Sequence, residues 1–267
     1  MGLHGIFTLC KTKRSTADEK HVRTTGRMDL KARIVFENEH FLFVDKPGSW
    51  LSVPSQWGKE DPRPVLGLQL IEQLGFHLIP VHRLDFEVSG LMMYAKHETS
   101  HRVASEWFES REIDKTYEAW TTATEEAPAP NPQGQEWTSH LHRGKKRSFV
   151  SPHGKLAVTR AYWKGQIPST THVFHRWHLD PLTGRPHQLR VELANHHYPI
   201  LGDELYGSQV AFMPEHIALR AIRLRIENCR QYTKWGLPEL IEVAGIESLL
   251  SAEWKQQMGL DPATENS

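Results

Sequence analysis

VHRLDFEVSG, residues 81–90, runs without a break into the apolar stretch Leu91-Met92-Met93-Tyr94-Ala95. A polar loop with Asp85 beside His82 and Arg83, flanked by Val81 and Leu84, thus enters a Ser-Gly turn and then a buried strand. Working outward, Ile34-Val35-Phe36 and Phe41-Leu42-Phe43-Val44 flank Glu37-Asn38-Glu39 and predict a hairpin, and DKPGSWLSVP, residues 45–54, is turn-rich. Leu66, Leu70, Ile71 and Leu74 recur at helical spacing before Gly75, which predicts a helix over 65–74. A second, amphipathic helix is predicted over 98–110, with Val103, Trp107 and Phe108 inward, and then a strand over 115–123. After a Pro-rich connection at 125–136, short strands are predicted at 137–142, 147–151, 156–164 and 172–179. A short helix over 187–194, a strand over 217–226 and a closing helix over 239–258 complete the reading. Several hairpins and few helices argue an α+β fold with an antiparallel sheet.

The chain has 267 residues, with 32 Lys plus Arg, 32 Asp plus Glu, 39% hydrophobic and 24% charged residues. That composition is globular and long enough for one large domain or two small ones. No apolar run is long enough to span a bilayer, and the first residues carry too short an apolar stretch for a signal peptide. Two cysteines, Cys10 and Cys229, exclude a disulfide framework and a Cys-rich zinc site, so cytoplasm is the expected location. Residues 1–30 are polar and basic and are expected to form a flexible tail, as are 261–267. The neutral total hides segregation: from Trp137 to Leu179 there is no Asp or Glu, but there are eight Lys and Arg. A cationic face of this kind suits nucleic acid, against the plainer reading of a solvated basic hairpin.

Four stretches carry chemistry. HETSH, residues 97–101, matches the His-Glu-x-x-His zinc pattern, yet His97 follows a strand end and falls at or before the helix start. His172, His175 and His178 alternate faces of a strand and cannot line one side. Asp85, beside cations, is suited to stay ionised as a nucleophile or base, against the reading of a structural salt bridge. In LTGRPHQLRVELANHHYPILGDELYG, residues 182–207, Arg190 lies in an apolar helix and needs a carboxylate, for which Asp85 is a plausible partner. No phosphate-loop, dinucleotide-binding or Gly-x-Ser-x-Gly pattern is present.

HRLDFEVSG resembles the His-Arg-Leu-Asp signature of the RluA family of pseudouridine synthases. KTYEA at 115–119, GRPHQLRV at 184–191, PILGDELYG at 199–207 and DKPGSWLSVP resemble further motifs of that family, in the family's order. The resemblance implies an α+β catalytic domain over 31–260, built on a bent, mixed, mainly antiparallel sheet with flanking helices. It implies isomerisation of uridine in RNA to pseudouridine, with no cofactor and no metal. Asp85 matches the essential aspartate, Tyr117 the tyrosine that stacks on the base, and Arg190 the arginine paired with the aspartate. His82, Arg83, Arg185, His187, Gln188 and Leu219 match substrate-binding positions. Val88 stands where the family usually has threonine and Arg220 where it commonly has histidine; the His196-His197 loop lacks a usual glycine. Expected partners are transfer or ribosomal RNA, bound by a monomer with no membrane contact. The rival readings are a catalytically inactive RNA-binding relative and a zinc hydrolase using His97, Glu98 and His101.

Overall fold

The computed structural model describes residues 29–260. The tails expected at 1–30 and 261–267 lie outside these residues except at Asp29 and Leu30. Leu30 is fully buried and donates its N–H to Gln73, so the packed chain begins before the boundary expected at 31.

Strands β1 (Ile34–Glu37) and β2 (Phe41–Lys46) form the predicted hairpin. Asn38 closes it, its Oδ1 accepting the N–H groups of His40 and Phe41 at 2.8 Å each. Helix α1 (Leu66–Leu74) ends at Gly75, which takes a left-handed φ of 79°. Then come β3 (Ile79–Pro80), β4 (Ser89–Ala95), α2 (Glu98–Glu109) and β5 (Asp114–Thr121). After the Pro-rich connection come β6 (Gln135–Arg143), β7 (Ser148–Val150), β8 (Lys155–Ile167) and β9 (Phe174–Pro181). Helix α3 (Gln188–Asn195), β10 (Leu219–Arg225), β11 (Leu240–Glu242) and α4 (Ala252–Gln257) end the described chain.

One mixed sheet runs β1-β2-β4-β10-β5-β9-β8-β6-β7, with β11 on β10 and β3 on β4. Its ladders are antiparallel except β4 against β10. Gly90 makes that parallel contact possible: a Cβ there would meet the Ala221 carbonyl oxygen at 2.1 Å, and its φ of 111° suits glycine alone. This close approach brings the loop before β4 up against the start of β10.

The pleat of β2 and β4 divides their residues between two cores. Leu42, Val44, Met92 and Tyr94 join the Leu66 and Leu70 side of α1, while Phe41, Phe43, Leu91 and Met93 pack with Ala104 and Trp107 of α2. Both faces are therefore covered, which explains the unbroken apolar run from Leu91 to Ala95.

The closing helix expected over 239–258 does not form. Leu240–Glu242 instead extend the sheet, with Arg223 opposite Glu242, Leu224 opposite Ile241 and Arg225 opposite Leu240. Pairing with Arg223–Arg225, the part of β10 beyond its contact with β4, outweighs a weak helical period, and Gly245 interrupts the chain just beyond β11, where it packs against the Glu118 carboxylate. A short 3-10 turn over Ile246–Leu249 and then α4, capped by Ser251 Oγ accepting from Trp254 N, take the rest. Among the described residues no helix is long and apolar enough to cross a membrane.

Candidate active site

Asp85 sits on the connection between β3 and β4, its carbonyl accepting the Val88 N–H at 3.2 Å. The residues on either side of it are tied down. Ser52 Oγ donates to the Leu84 carbonyl at 2.7 Å and accepts the Leu84 N–H at 3.0 Å. The fully buried Lys46 donates to the carbonyls of Phe86 (3.2 Å), Pro47 (2.9 Å) and Trp50 (2.7 Å). Burial pushes the Lys46 pKa down to about 7, against the pull of Asp85, Glu87 and Asp45. The turn-rich segment 45–54 thus serves as the mould of the Asp85 loop.

Arg190, on α3 and nearly inaccessible, faces that loop. The sequence points to Asp85 as its partner, and Asp85 does lie 3.5 Å from its Nη1, but Asp203 is the closer partner. Its Nε and Nη2 donate to the two oxygens of Asp203 at 2.7 Å each, a bidentate and buried pair. Nη1 alone is left for the loop, 3.5 Å from Asp85 and 3.4 Å from Glu87. A planar guanidinium can serve both sides at once, and a carboxylate lying in its plane takes the two-toothed contact. Burial opposes its charge, but Asp203, Glu87 and Asp85 outweigh burial and hold its pKa above the usual arginine value.

His187 precedes α3 in the left-handed region, φ 55°. Its Nε2 lies 3.9 Å from Asp85 and 3.2 Å from Arg143 Nη1, and its Nδ1 lies 3.0 Å from the Tyr206 hydroxyl. That hydroxyl donates to the Ser148 carbonyl at 3.1 Å. We therefore assign the proton to Nδ1, so that Nε2 accepts from Arg143. Burial lowers the His187 pKa, with Arg190 and Arg143 adding to the effect and Asp85 opposing it.

All nine site residues anticipated from the sequence line one open cleft of about 1120 Å³. Asp85 and Arg190 stand together; Tyr117 on β5 and Leu219 on β10 lie on the adjoining strands. Tyr117 holds its proton well above neutral pH, because it is buried and because Asp85 disfavours a phenolate. Val88, Leu84 and Leu219 give the cleft an apolar side; Arg83 is exposed on it, and Arg185 is half-buried and donates to the Leu156 carbonyl at 2.8 Å. Gln188 and His82 support the wall. Gln188 binds Thr183, Thr159, Arg185 N and the Val158 carbonyl, which leaves it fixed in the turn. His82 Nε2 accepts the Met93 N–H at 3.1 Å while its ring stacks on Phe108. Burial, with Lys115 nearby, pushes the His82 pKa down to about 3.

Asp203, Tyr206, Lys46 and Ser52 were not given these tasks from the sequence, although each lies in a quoted segment. The available signal was Asp203, a carboxylate in the same segment as an arginine that needed one. Cleft-lining Arg111, Lys115 and Arg143 extend the cationic side. HETSH proves to be a helix start: His97 is the N-cap of α2, with its ring 3.1 Å from the Glu39 carbonyl, and His101 faces Ser105. Among the described residues no group of three or more His, Cys, Asp or Glu side chains is arranged to hold a metal ion.

A model of RNA pseudouridylate synthase matches residues 40–195. The dual-specificity RNA pseudouridine synthase RluA of Haemophilus influenzae is 32% identical over 197 residues, 72% of this chain and 85% of that protein. The tRNA pseudouridine synthase C of Salmonella typhimurium is 28% identical over 232 residues, 82% of this chain and 87% of that protein. The tRNA pseudouridine synthase C of Pectobacterium carotovorum, 30% identical over 65% of this chain, is matched over 48% of its own length, so the chain spans about half of that relative. Among solved structures, human RNA pseudouridylate synthase domain containing 1 superposes with a TM-score of 0.61 at 22% identity, over 79% of this chain and 81% of that one. Together with the matched motifs around the Asp85 cleft, these similarities show that the chain belongs to the RNA pseudouridylate synthase family, in its RluA branch.

Proposed function

We propose that this chain isomerises uridines in structured RNA, transfer or ribosomal, to pseudouridine, using Asp85 as the essential carboxylate and no cofactor. The observation that carries this reading is the convergence of all nine residues on one cleft, with Asp85 beside Arg190 and an apolar side opposite cations. The reaction breaks the bond from uracil N1 to the ribose, turns the base, and joins C5 to the same ribose carbon. N1 gains a proton and C5 loses one, so atoms balance without a redox partner.

Each part of the cleft has a task in that sequence. The uridine must leave its stack, at a cost of a few kcal/mol. Stacking on Tyr117 returns about 1–3 kcal/mol, and Leu219 supplies an apolar contact for the base. Arg83, Arg185, Arg111, Lys115 and Arg143 attract the phosphates on either side, which makes binding salt-sensitive. Asp85, fixed by its neighbours, acts on the base or on the sugar; Tyr117, a protonated phenol, relays the C5 proton, handing its own hydroxyl proton to water as it receives the one from C5. The enzyme works in the cytoplasm as a monomer, with 31–260 as its catalytic domain. Incubation with total cellular RNA carrying tritium at uridine C5 tests the reading. Release of tritium in step with pseudouridine is expected, and bound RNA with no release overturns it.

A further inference from the structure

At the ends of β5 and β9 the cleft opens into a smaller pocket of about 180 Å³, which shares Asp114, Lys115, Pro181 and Leu182 with it. A row of charged and polar side chains crosses six strands there. Glu136 on β6 stands opposite Arg160 on β8, 3.4 Å apart. Arg160 stands opposite Asp180 on β9. Thr116 Oγ1 on β5 donates to Asp180 Oδ1 at 2.7 Å. Thr116 stands opposite Arg223 on β10, and Arg223 is ion-paired with Glu242 on β11. Arg225 adds a further cation to the lining.

Exposed ion pairs of this kind add little to stability, so the fold alone gives the row little purpose. Asp180 is the telling member. Burial raises its pKa, and the Thr116 hydroxyl only partly offsets that. Among the described residues it forms no ion pair, although Arg160 and Arg223 flank it. A carboxylate with one donor retains unused acceptor positions. A phosphate would be repelled at Asp180 and attracted to the arginines around it. A nucleoside donor, a ribose hydroxyl or an exocyclic amine, fits Asp180 and leaves its phosphate at the cations.

We propose that this pocket is a second RNA subsite, which takes a nucleotide adjoining the target uridine through Asp180 and holds its phosphodiester with Arg160 and Arg223. It rests on the RNA reading of the cleft, with which it shares a wall. The shared Asp114, Lys115, Pro181 and Leu182 place the two pockets side by side at the ends of β5 and β9.

The test measures affinity of the full chain for fluorescein-labelled bulk transfer RNA over a range of salt. Arg160→Gln with Arg223→Gln should weaken binding by about 5–20-fold and make the salt slope shallower by about one to two. Glu136→Gln with Glu242→Gln breaks the same two ion pairs but keeps the cations, and should leave binding equal or tighter. Equal weakening by both pairs, or no change with the arginine pair, overturns the proposal. Asp180→Asn can keep the Thr116 contact, and is expected to weaken homopolymer binding by about threefold or more. Loss on poly(U) and poly(A) alike identifies the ribose hydroxyl, loss on poly(A) alone identifies the amine, and no loss on either overturns the role of Asp180. Binding is read without turnover, so an inactive wild type overturns the catalytic reading and leaves the subsite to these affinities.

Discussion

Asp203 holds Arg190 by two hydrogen bonds of 2.7 Å, and this leaves one guanidinium nitrogen, Nη1, 3.5 Å from Asp85. The carboxylate of the candidate reaction is therefore placed by a second carboxylate acting through an arginine. Asp203 is almost wholly buried, whereas Asp85 is about one-third exposed (34%) and faces the cleft. The buried acid neutralises and aims the arginine; the exposed one keeps a face for substrate.

Removing one partner of a buried ion pair typically costs about 3–5 kcal/mol. Asp203→Asn is expected to lose about 3 kcal/mol, a fall in Tm of about 6–12 °C, with a matching loss of turnover as Arg190 swings towards Asp85 and Glu87. Thermal unfolding and tritium release read the two effects. Unchanged stability contradicts the assignment of Asp203 as principal partner.

Tyr117→Phe retains the ring that stacks on the base and removes the hydroxyl. RNA affinity should stay within about threefold, while the rate of C5 proton release falls about 100-fold or more, in the range of general acid–base assistance. Single-turnover tritium release with saturating RNA separates the two. A wild-type rate across pH contradicts the proton role.

His82 makes stability depend on acid. In the folded chain it stays neutral down to about pH 3, whereas an unfolded histidine titrates near 6.5. Between those values the unfolded chain holds the extra proton, so stability falls as pH drops through that window, by up to about 1.4 kcal/mol per unit. His82→Gln can still accept the Met93 N–H and should flatten the slope by as much as one proton. Urea unfolding at several pH values between 4 and 7 measures it, and parallel slopes contradict the account.

His197 lies just beyond α3 with a left-handed φ of 68°. A non-glycine residue there carries about 1–2 kcal/mol of strain, while glycine adds about 0.5–1 kcal/mol of unfolded-state entropy. His197→Gly should therefore stabilise by about 0.5 kcal/mol, since the exposed 3.4 Å contact with Thr124 contributes little. A lower Tm shows that the Thr124 and Glu126 contacts matter more.

Local patterns were legible and partners across the fold were not. Leu66, Leu70 and Gly75 mark α1 because a helical stripe and its stop are local properties, and the hairpin at 34–46 announces itself through Asn38. Residues 239–258 misled because their apolar spacing suits a helix in isolation, whereas pairing with Arg223–Arg225 of β10, beyond its contact with β4, sets the conformation of Leu240–Glu242. The need of Arg190 for an acid was legible from its apolar setting. Which acid met it depended on how the 199–207 turn folds back on α3, and sequence distance carries no record of that. Lys46 and Ser52 escaped notice for the same reason: their contacts with the Asp85 loop, the Phe86 and Leu84 carbonyls and the Leu84 amide, are about 30–40 positions away.

The central claim is that Asp85 performs the chemistry while the rest of the cleft binds and positions RNA. The most direct measurement compares wild type and Asp85→Asn for tritium release from C5-labelled uridine in total cellular RNA, with RNA affinity measured in parallel. The account predicts release by wild type, none by Asp85→Asn, and affinities within about threefold, because the substitution removes a charge that RNA binding does not require. Substantial release by Asp85→Asn contradicts it.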